Sequence, residues 1–230
     1  MTSPPPPPRG RKPARRPSEA TDQRRGRRRP AAGWARFHPR WLWADAQDWC
    51  RGRNPWWRLP LLLWGWFILA RVLTQAQGFT PVDWLNFGIH ELGHLLAIPF
   101  GQFIHVLAGS AAQIAVPLGS IIMFIRQRDY FGAAFCFCWL AESWLYLSHY
   151  IGDAQDQLLP LATPFGVEGI HDWHYLLDTL GLLQRTPAIA ALAWGAALIS
   201  VGIYLALATW LLWCMVRPGS TWTDAPDSNP

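Results

Sequence analysis

Two histidines and a glutamate stand in the middle of an apolar stretch, NFGIHELGHLLAIPF, at residues 86–100. Histidines four positions apart lie on one side of a helix, so His90 and His94 can each direct a ring nitrogen at the same metal ion. Glu91 lies beside that face, where its carboxylate can take a proton from a water molecule bound to the metal. The H-E-x-x-H spacing therefore predicts a zinc site with Glu91 as its general base.

The apolar surroundings of the motif strengthen this prediction. Ionisable side chains inside an apolar span are costly, and their presence there indicates function by default. The alternative is a pair of histidines that only hydrogen-bond to the backbone of neighbouring helices, but this leaves Glu91 unexplained. A catalytic zinc site also needs a third protein ligand and an open fourth position for water.

One segment that can supply the third ligand is ESWLYLSHYIGDAQD, residues 142–156. At ~100° per residue, Glu142, Tyr146, His149 and Asp153 fall in one sector of a helix and form a polar stripe. Such a stripe faces protein or a water-filled cavity and not lipid. Glu142 and Tyr146 are expected to hydrogen-bond to neighbouring helices, whereas Asp153, at the end of the span, can reach a metal.

A second segment, GVEGIHDWHYLLDTLGLL at residues 166–183, is predicted to form an amphipathic helix at the membrane surface. It offers four side chains that can ligate a metal: His171, Asp172, His174 and Asp178. We rank His171 first as the third ligand and Asp153 second, with Asp172 close behind. Asp172 can alternatively orient His171 by accepting a hydrogen bond from its ring.

Composition indicates a membrane protein. Of the 230 residues 51% are hydrophobic, and the sixteen tryptophans far exceed ordinary usage. Four apolar runs approach or exceed the ~20 helical residues that cross a bilayer, at 59–76, 103–125, 130–151 and 188–216. We therefore expect an all-α integral membrane protein with four transmembrane helices and a fifth candidate, residues 79–100, which carries the H-E-x-x-H motif.

Charge distribution suggests how this fifth segment runs. Residues 1–60 hold fifteen Lys and Arg against four Asp and Glu, a net of +11, whereas residues 61–230 hold five against eleven, a net of −6. The positive-inside rule then makes the N-terminus cytoplasmic. A crossing fifth segment would place Arg126 and Arg128 outside. A re-entrant one makes them cytoplasmic and puts the acidic loop 152–187 outside, so we favour the re-entrant path.

Four regions follow from these patterns. Residues 1–33 are rich in proline and arginine and poor in apolar side chains, so they are expected to be disordered. Residues 34–58 alternate tryptophan with arginine, as in segments at the membrane interface that contact lipid. Residues 59–217 form the membrane domain, and residues 218–230 a short polar tail. The bilayer is the expected partner; nucleic acid is not, because the basic tail lacks interleaved aromatic residues.

The chain resembles the site-2 protease family of membrane-embedded zinc metalloproteases. H-E-x-x-H at 90–94 matches the zinc-binding and base positions of that family. AGSAAQ at 108–113 is similar to its Ala-Gly-Pro-Leu-Ala-Asn element, with Ser110 in place of proline and Gln113 in place of asparagine. The resemblance implies a zinc-dependent peptidase that cuts membrane-protein or peptide substrates within or near the bilayer. The family's third-ligand element, Asn-Pro with Leu-Asp-Gly, has no counterpart here.

A second likeness concerns HDWHYLL, residues 171–177. It is similar to a segment of uncharacterised bacterial membrane proteins that also carry H-E-x-x-H, which implies the bacterial cytoplasmic membrane as the location.

Two other functions are compatible with the sequence. A membrane di-iron oxygenase would use histidine boxes, and H-x-x-x-H at 90–94 with H-x-x-H at 171–174 fits that class in outline. Of the seven histidines, His38 precedes the membrane domain, and the six that remain are fewer than such a site ordinarily uses. The other is a non-enzymatic scaffold, in which polar groups specify only helix packing. His105 has no partner at a ligand spacing and is predicted to be a core histidine.

Overall fold

The computed structural model describes residues 39–159 and 171–217, and within them all regular structure is helical. The α-helices of this part of the chain are α1 (Pro39–Cys50), α2 (Leu59–Thr74), α3 (Pro81–Ala97), α4 (Gln102–Gln127), α5 (Tyr130–Gly152), α6 (Asp172–Thr179) and α7 (Thr186–Val216). Short 3-10 turns at Trp56–Arg58, Ile98–Phe100 and Leu183–Arg185 precede α2, α4 and α7. The predicted tails, 1–33 and 218–230, lie outside the described residues.

Four of these helical stretches are long and apolar enough to cross a membrane. They confirm the all-α fold with four transmembrane helices, and their bounds differ from the predicted runs by a few residues. The stretches are Trp56–Thr74, Gln102–Gln127, Tyr130–Gly152 and Leu183–Val216.

The centre of the bundle is α5, which is buried on most of its circumference. It packs along α7 and is flanked by α4 and α2. A helix surrounded in this way buries apolar side chains on several faces, and its polar stripe, which includes Glu142, faces other helices. Tyr204 of α7 shows how closely the helices approach, because its ring covers Gly65 of α2 and its hydroxyl donates to Leu61 O at 2.6 Å.

Hydrogen bonds between elements identify the two ends of the bundle. At one end Arg128 Nε donates to Asp45 Oδ2 at 2.8 Å, and the Tyr130 hydroxyl donates to the same carboxylate. The turn between α4 and α5 therefore lies beside α1, and we call this the α1 end. At the other end Trp194 Nε1 of α7 donates to Val72 O of α2 at 2.8 Å. Because α6 also lies there, between the end of α5 and the start of α7, we call it the α6 end.

Helix α3 starts and finishes in the same half of the bundle, because α2 ends beside the third turn of α7 and α4 begins at the α6 end. The N-terminus of α3 nevertheless lies deep in the bundle. Thr80, its N-cap, donates from Oγ1 to Glu142 Oε2 at 2.7 Å, and Glu142 is near the middle of α5. From this depth α3 runs back toward the α6 end. This is the arrangement that the charge distribution favours.

Local sequence explains where α3 starts and stops. Thr80 and Asp83 form a capping box in which each side chain accepts from the other residue's backbone N–H, and Pro81 occupies the first turn. The α-helix ends at Ala97 and continues as the 3-10 turn Ile98–Phe100, because Pro99 has no backbone N–H to extend the α-helical hydrogen bonds.

Buried polar contacts hold α3 against its neighbours. Asn86 Oδ1 accepts from Trp139 Nε1 at 2.7 Å and from Ser143 Oγ at 3.1 Å, both on α5. Glu142 also accepts from Trp64 Nε1 at 3.0 Å. The carboxylates of Glu142 and Asp83 lie near one cation, since Arg71 Nη1 is 3.9 Å from Glu142 and 3.7 Å from Asp83. The hydrogen-bonding role expected for Glu142 is thus the one it has.

The main partner of α3 is α4, and a glycine sets their separation. A Cβ on Gly93 would lie 2.4 Å from Ala108 O and 2.8 Å from Ala112 Cβ. Any side chain here would push the two helices apart. Gly88, on the same helix, has no such neighbour within 4 Å.

Replacing Gly93 with alanine should destabilise the protein by about 1–3 kcal/mol, because the added methyl group meets the α4 backbone. Gly88→Ala is the matched control, and it should leave stability unchanged or raise it by up to about 1 kcal/mol. The measurement is thermal or SDS unfolding in detergent micelles. Equal unfolding of the two variants would contradict the close α3–α4 contact.

Candidate metal centre

The two histidines of the H-E-x-x-H motif direct their Nε2 atoms at one carboxylate. Asp172 Oδ2 lies 2.9 Å from His90 Nε2 and 3.1 Å from His94 Nε2. The three ligand atoms all lie within 4.8 Å of one another, and no other such group of three or more His, Cys, Asp or Glu side chains is found in residues 39–159 and 171–217. We call these three residues the His-His-Asp cluster.

The other ring nitrogen of each histidine has its own partner. His94 Nδ1 lies 2.8 Å from the backbone carbonyl oxygen of His105, and His90 Nδ1 lies 3.3 Å from Gln113 Oε1. A carbonyl oxygen only accepts hydrogen bonds, so Nδ1 of His94 carries a proton. In the amide orientation of the structure, Gln113 Oε1 accepts a hydrogen bond from His90 Nδ1, so Nδ1 of His90 carries a proton as well. This is the arrangement by which metal-binding histidines are ordinarily fixed.

The tautomer of His94 has a consequence for the cluster. In a neutral ring protonated at Nδ1, Nε2 has a lone pair and no hydrogen. That lone pair faces an oxygen of Asp172, which is also an acceptor. Two acceptors 3.1 Å apart repel each other unless a positive charge is shared between them. A second proton on the ring, or a metal ion bound to both atoms, supplies that charge.

The distances in the cluster suit a metal ion. Ligands 2.0–2.1 Å from a tetrahedral zinc are about 3.3 Å from each other. The measured separations of 2.9 and 3.1 Å are slightly shorter. Burial raises the pKa of Asp172, but hydrogen bonds and positive charge from His90 and His94, when their rings carry a second proton, outweigh burial and hold the pKa below its ordinary value of 3.8. The carboxylate is therefore ionised at neutral pH, as a ligand must be.

Space at the ligand atoms is provided by a glycine of α4. A Cβ on Gly109 would lie 2.4 Å from His94 Nε2 and 2.8 Å from His90 Nε2. The absence of a side chain therefore leaves room at the point where an ion would contact both nitrogens. Gly109 belongs to the AGSAAQ element that carries the family resemblance. The sequence therefore marked this region, but residue spacing did not predict that Gly109 contacts the two histidines.

Asp172 reaches the histidines because of how α6 begins. It is the first residue of α6, and its backbone N–H donates to the Tyr150 hydroxyl at 3.1 Å. This contact ties the start of α6 to the last turn of α5, beside His90.

His171 and Asp153, ranked first and second as third ligand, do not join the cluster, whereas Asp172, ranked after them, does. His171 is the N-cap of α6 and its Nδ1 accepts from His174 N at 3.2 Å, so its ring turns back over the first turn. Its Nε2 instead lies 3.3 Å from Asp153 Oδ2. Asp153 also accepts the backbone N–H groups of Leu158 and Leu159, at 2.8 and 3.0 Å. It organises the loop after α5.

The two remaining candidates also lie elsewhere. His174 Nδ1 is 2.8 Å from Ala154 O, and Asp178 is exposed on α6. Because His171 and His174 do not converge with the H-E-x-x-H histidines, the geometry does not favour a di-iron centre built from both boxes.

Three residues near the cluster were missed or misread from the sequence. His105, predicted as a core histidine, forms a reciprocal pair with His94, since its Nδ1 donates to His94 O at 2.8 Å. A backbone acceptor leaves no mark in residue type, so nothing in the sequence indicated this pairing. Gln113 is fully buried, and Tyr150 lies between His90 and His171. The predicted polar stripe of α5 contains Tyr146 and His149 but not Tyr150, which follows His149 directly.

Glu91 is partly exposed, and its charge acts on His94 and Tyr150. Among the described residues it has no hydrogen bond or ion pair. Its carboxylate is thus available for proton transfer beside the cluster.

Comparisons with protein-family models, with curated proteins and with solved structures find no match for this chain. The resemblance to site-2 proteases stays a prediction carried by the motifs quoted above.

Gly109→Ala should abolish metal binding while the protein stays folded, because the methyl group occupies the space at both Nε2 atoms. Gly119→Ala is the matched control on the same helix, where no atom lies within 4 Å of the added Cβ. Metal bound per chain after gel filtration, together with the melting temperature, distinguishes the variants. Equal metal content in both would contradict the position assigned to the ion.

Gln113→Leu should weaken zinc binding by about 10- to 100-fold, because His90 loses the group that fixes its tautomer. Gln113→Glu keeps an acceptor at the same place and should retain affinity. Competition with a chelating indicator measures both. Unchanged affinity in the leucine variant would show that Gln113 does not orient His90.

Proposed function

We propose that this chain is a membrane-embedded zinc-dependent peptidase, with His90, His94 and Asp172 as metal ligands and Glu91 as the general base. The observation that carries the proposal is the convergence of two imidazole nitrogens and a carboxylate oxygen, with the Nδ1 atom of His94 already committed to a backbone carbonyl. Three protein ligands leave a fourth position for water, as catalytic zinc sites require.

In the proposed reaction the metal, the general base and the residues that orient the histidines have separate roles. Zinc, when bound, supplies a Lewis acid that makes water more acidic and polarises the peptide carbonyl. Glu91 follows the first ligand directly in the chain, so its carboxylate can accept the proton of the attacking water and pass it to the leaving amine. His105 and Gln113 keep the Nε2 atoms available by holding the Nδ1 protons.

Burial around the cluster supports a reactive site that a substrate can reach. His90 and Asp172 are buried, whereas His94 and Glu91 are partly exposed. The ligands are therefore held in apolar surroundings, while the base lies where a peptide bond can approach. Such a distribution is suited to catalysis and is not needed for helix packing.

The same two-histidine, one-carboxylate donor set also suits iron(II), the metal of non-haem oxygenases. Glu91 favours hydrolysis, because a proton acceptor beside the metal is what activation of water requires. Metal analysis of the purified protein separates the possibilities. One zinc per chain supports the peptidase, iron supports an oxygenase, and a metal-free protein that His90 and His94 variants destabilise supports a scaffold.

Glu91→Gln should retain zinc and lose roughly 10²- to 10⁴-fold in the rate of cleavage of fluorescently labelled casein in detergent, because only proton transfer is removed. Asp172→Asn should lose both zinc and activity. Asp178→Asn is the matched control, since it removes an exposed carboxylate from the same helix and should change neither. Retention of zinc by Asp172→Asn would overturn the assignment of the third ligand.

A further inference from the structure

The His-His-Asp cluster lies at one end of the bundle and not at its middle. His105 and Gly109, which contact the two histidines, are within the first eight residues of α4. Tyr150 is in the last turn of α5, and Asp172 begins α6. All the elements that build the site therefore meet at the α6 end.

The distance from the opposite end is close to the thickness of a bilayer. His105 precedes Gln127, the last residue of α4, by 22 residues. At 1.5 Å per residue the intervening helix is about 33 Å long, against a hydrocarbon core of about 30 Å. A site beside His105 is thus near one surface of the membrane.

The two ends carry opposite charge. Among residues 43–159 and 171–217, six arginines lie at the α1 end against three aspartates, and the dense basic run of residues 9–29 precedes this end in the chain. At the α6 end one arginine stands against five acidic residues. The α1 end has Arg51, Arg53, Arg58, Arg126, Arg128 and Arg217 with Asp45, Asp48 and Asp129; the α6 end has Arg185 with Glu91, Asp153, Asp156, Asp172 and Asp178.

We propose that the metal centre acts on the extracytoplasmic side of the membrane, on substrate segments that lie at the outer surface or just within the outer leaflet. An excess of arginine at membrane-flanking positions marks the cytoplasmic side, which here is the α1 end. The cluster is at the other end. The proposal rests on the proposed function and adds to it the class of substrate, which is the extracytoplasmic juxtamembrane segment of a membrane-anchored polypeptide.

The surroundings of the site fit a position at this depth. The outer face of α3 next to the cluster is apolar and exposed, with Leu92, Leu95 and Leu96 all more than half accessible. These side chains suit the acyl region of the outer leaflet. Glu91 and His94, on the same helix, are partly exposed, so the ligands are within reach of a chain that runs along the membrane surface.

Sidedness can be tested without metal or activity. Leu158→Cys adds a thiol at the α6 end on a residue that is 81% exposed, and Asp48→Cys adds an exposed thiol at the α1 end. With a membrane-impermeant maleimide, right-side-out bacterial vesicles should label Leu158→Cys alone, and inverted vesicles Asp48→Cys alone. The wild-type chain measures background from its own cysteines. The reverse pattern, or labelling of both variants from one side, overturns the proposal.

The same vesicles test the site itself. With zinc loaded, impermeant EDTA should remove the metal from right-side-out vesicles, whereas inverted vesicles should keep it until detergent is added. Labelled casein added outside should be cut only by right-side-out vesicles. Loss of zinc from inverted vesicles alone would overturn the proposal. A chain that binds no zinc but labels as expected would instead refute the proposed function and leave the orientation standing.

Discussion

The structure depends on the convergence of His90 Nε2, His94 Nε2 and Asp172 Oδ2, which meet in buried surroundings and are held together by protons or a metal ion between them. Each neighbouring feature contributes to that convergence. The His105 carbonyl and Gln113 hold the opposite nitrogens of the rings. Gly109 brings the α4 backbone up to the ligand atoms without a side chain in the way.

A second polar layer gives α3 its unusual path. Thr80 and Asp83 cap the helix, and Glu142 and Arg71 meet that cap in the middle of the bundle. Charged groups at this depth are tolerated because they are paired and hydrogen-bonded. The layer fixes the start of α3, and Gly93 fixes its spacing from α4, so the two histidines, about one and two turns beyond Asn86, arrive at the α6 end in a set orientation.

Periodicity and composition were sufficient for the long-range architecture and insufficient to single out Asp172 as the side chain that meets His90 and His94. Apolar runs identified the four spans, because a bilayer imposes a minimum length on any helix that crosses it. Helical spacing brought His90 and His94 to one face. His171 and Asp172 differ by one position at the start of α6. The ring of His171, the N-cap, folds back over the first turn, whereas the side chain of Asp172, the first helical residue, projects toward His90 and His94. His105 acts through its carbonyl oxygen, a group common to all residues, so no pattern in the sequence could identify it.

The position of the cluster at one end of the bundle suits the proposed hydrolysis, which has two opposing requirements. Hydrolysis needs a supply of water, whereas histidine and carboxylate ligands bind a cation most strongly where water is excluded. A cluster in the middle of α5 would satisfy only the second need. Beside the last turn of α5 and the first turns of α4, His90 and Asp172 are buried while Glu91 is partly exposed, so one site can meet both needs. A re-entrant course of α3, which the charge distribution favours, would place the motif within reach of solvent without a fifth crossing.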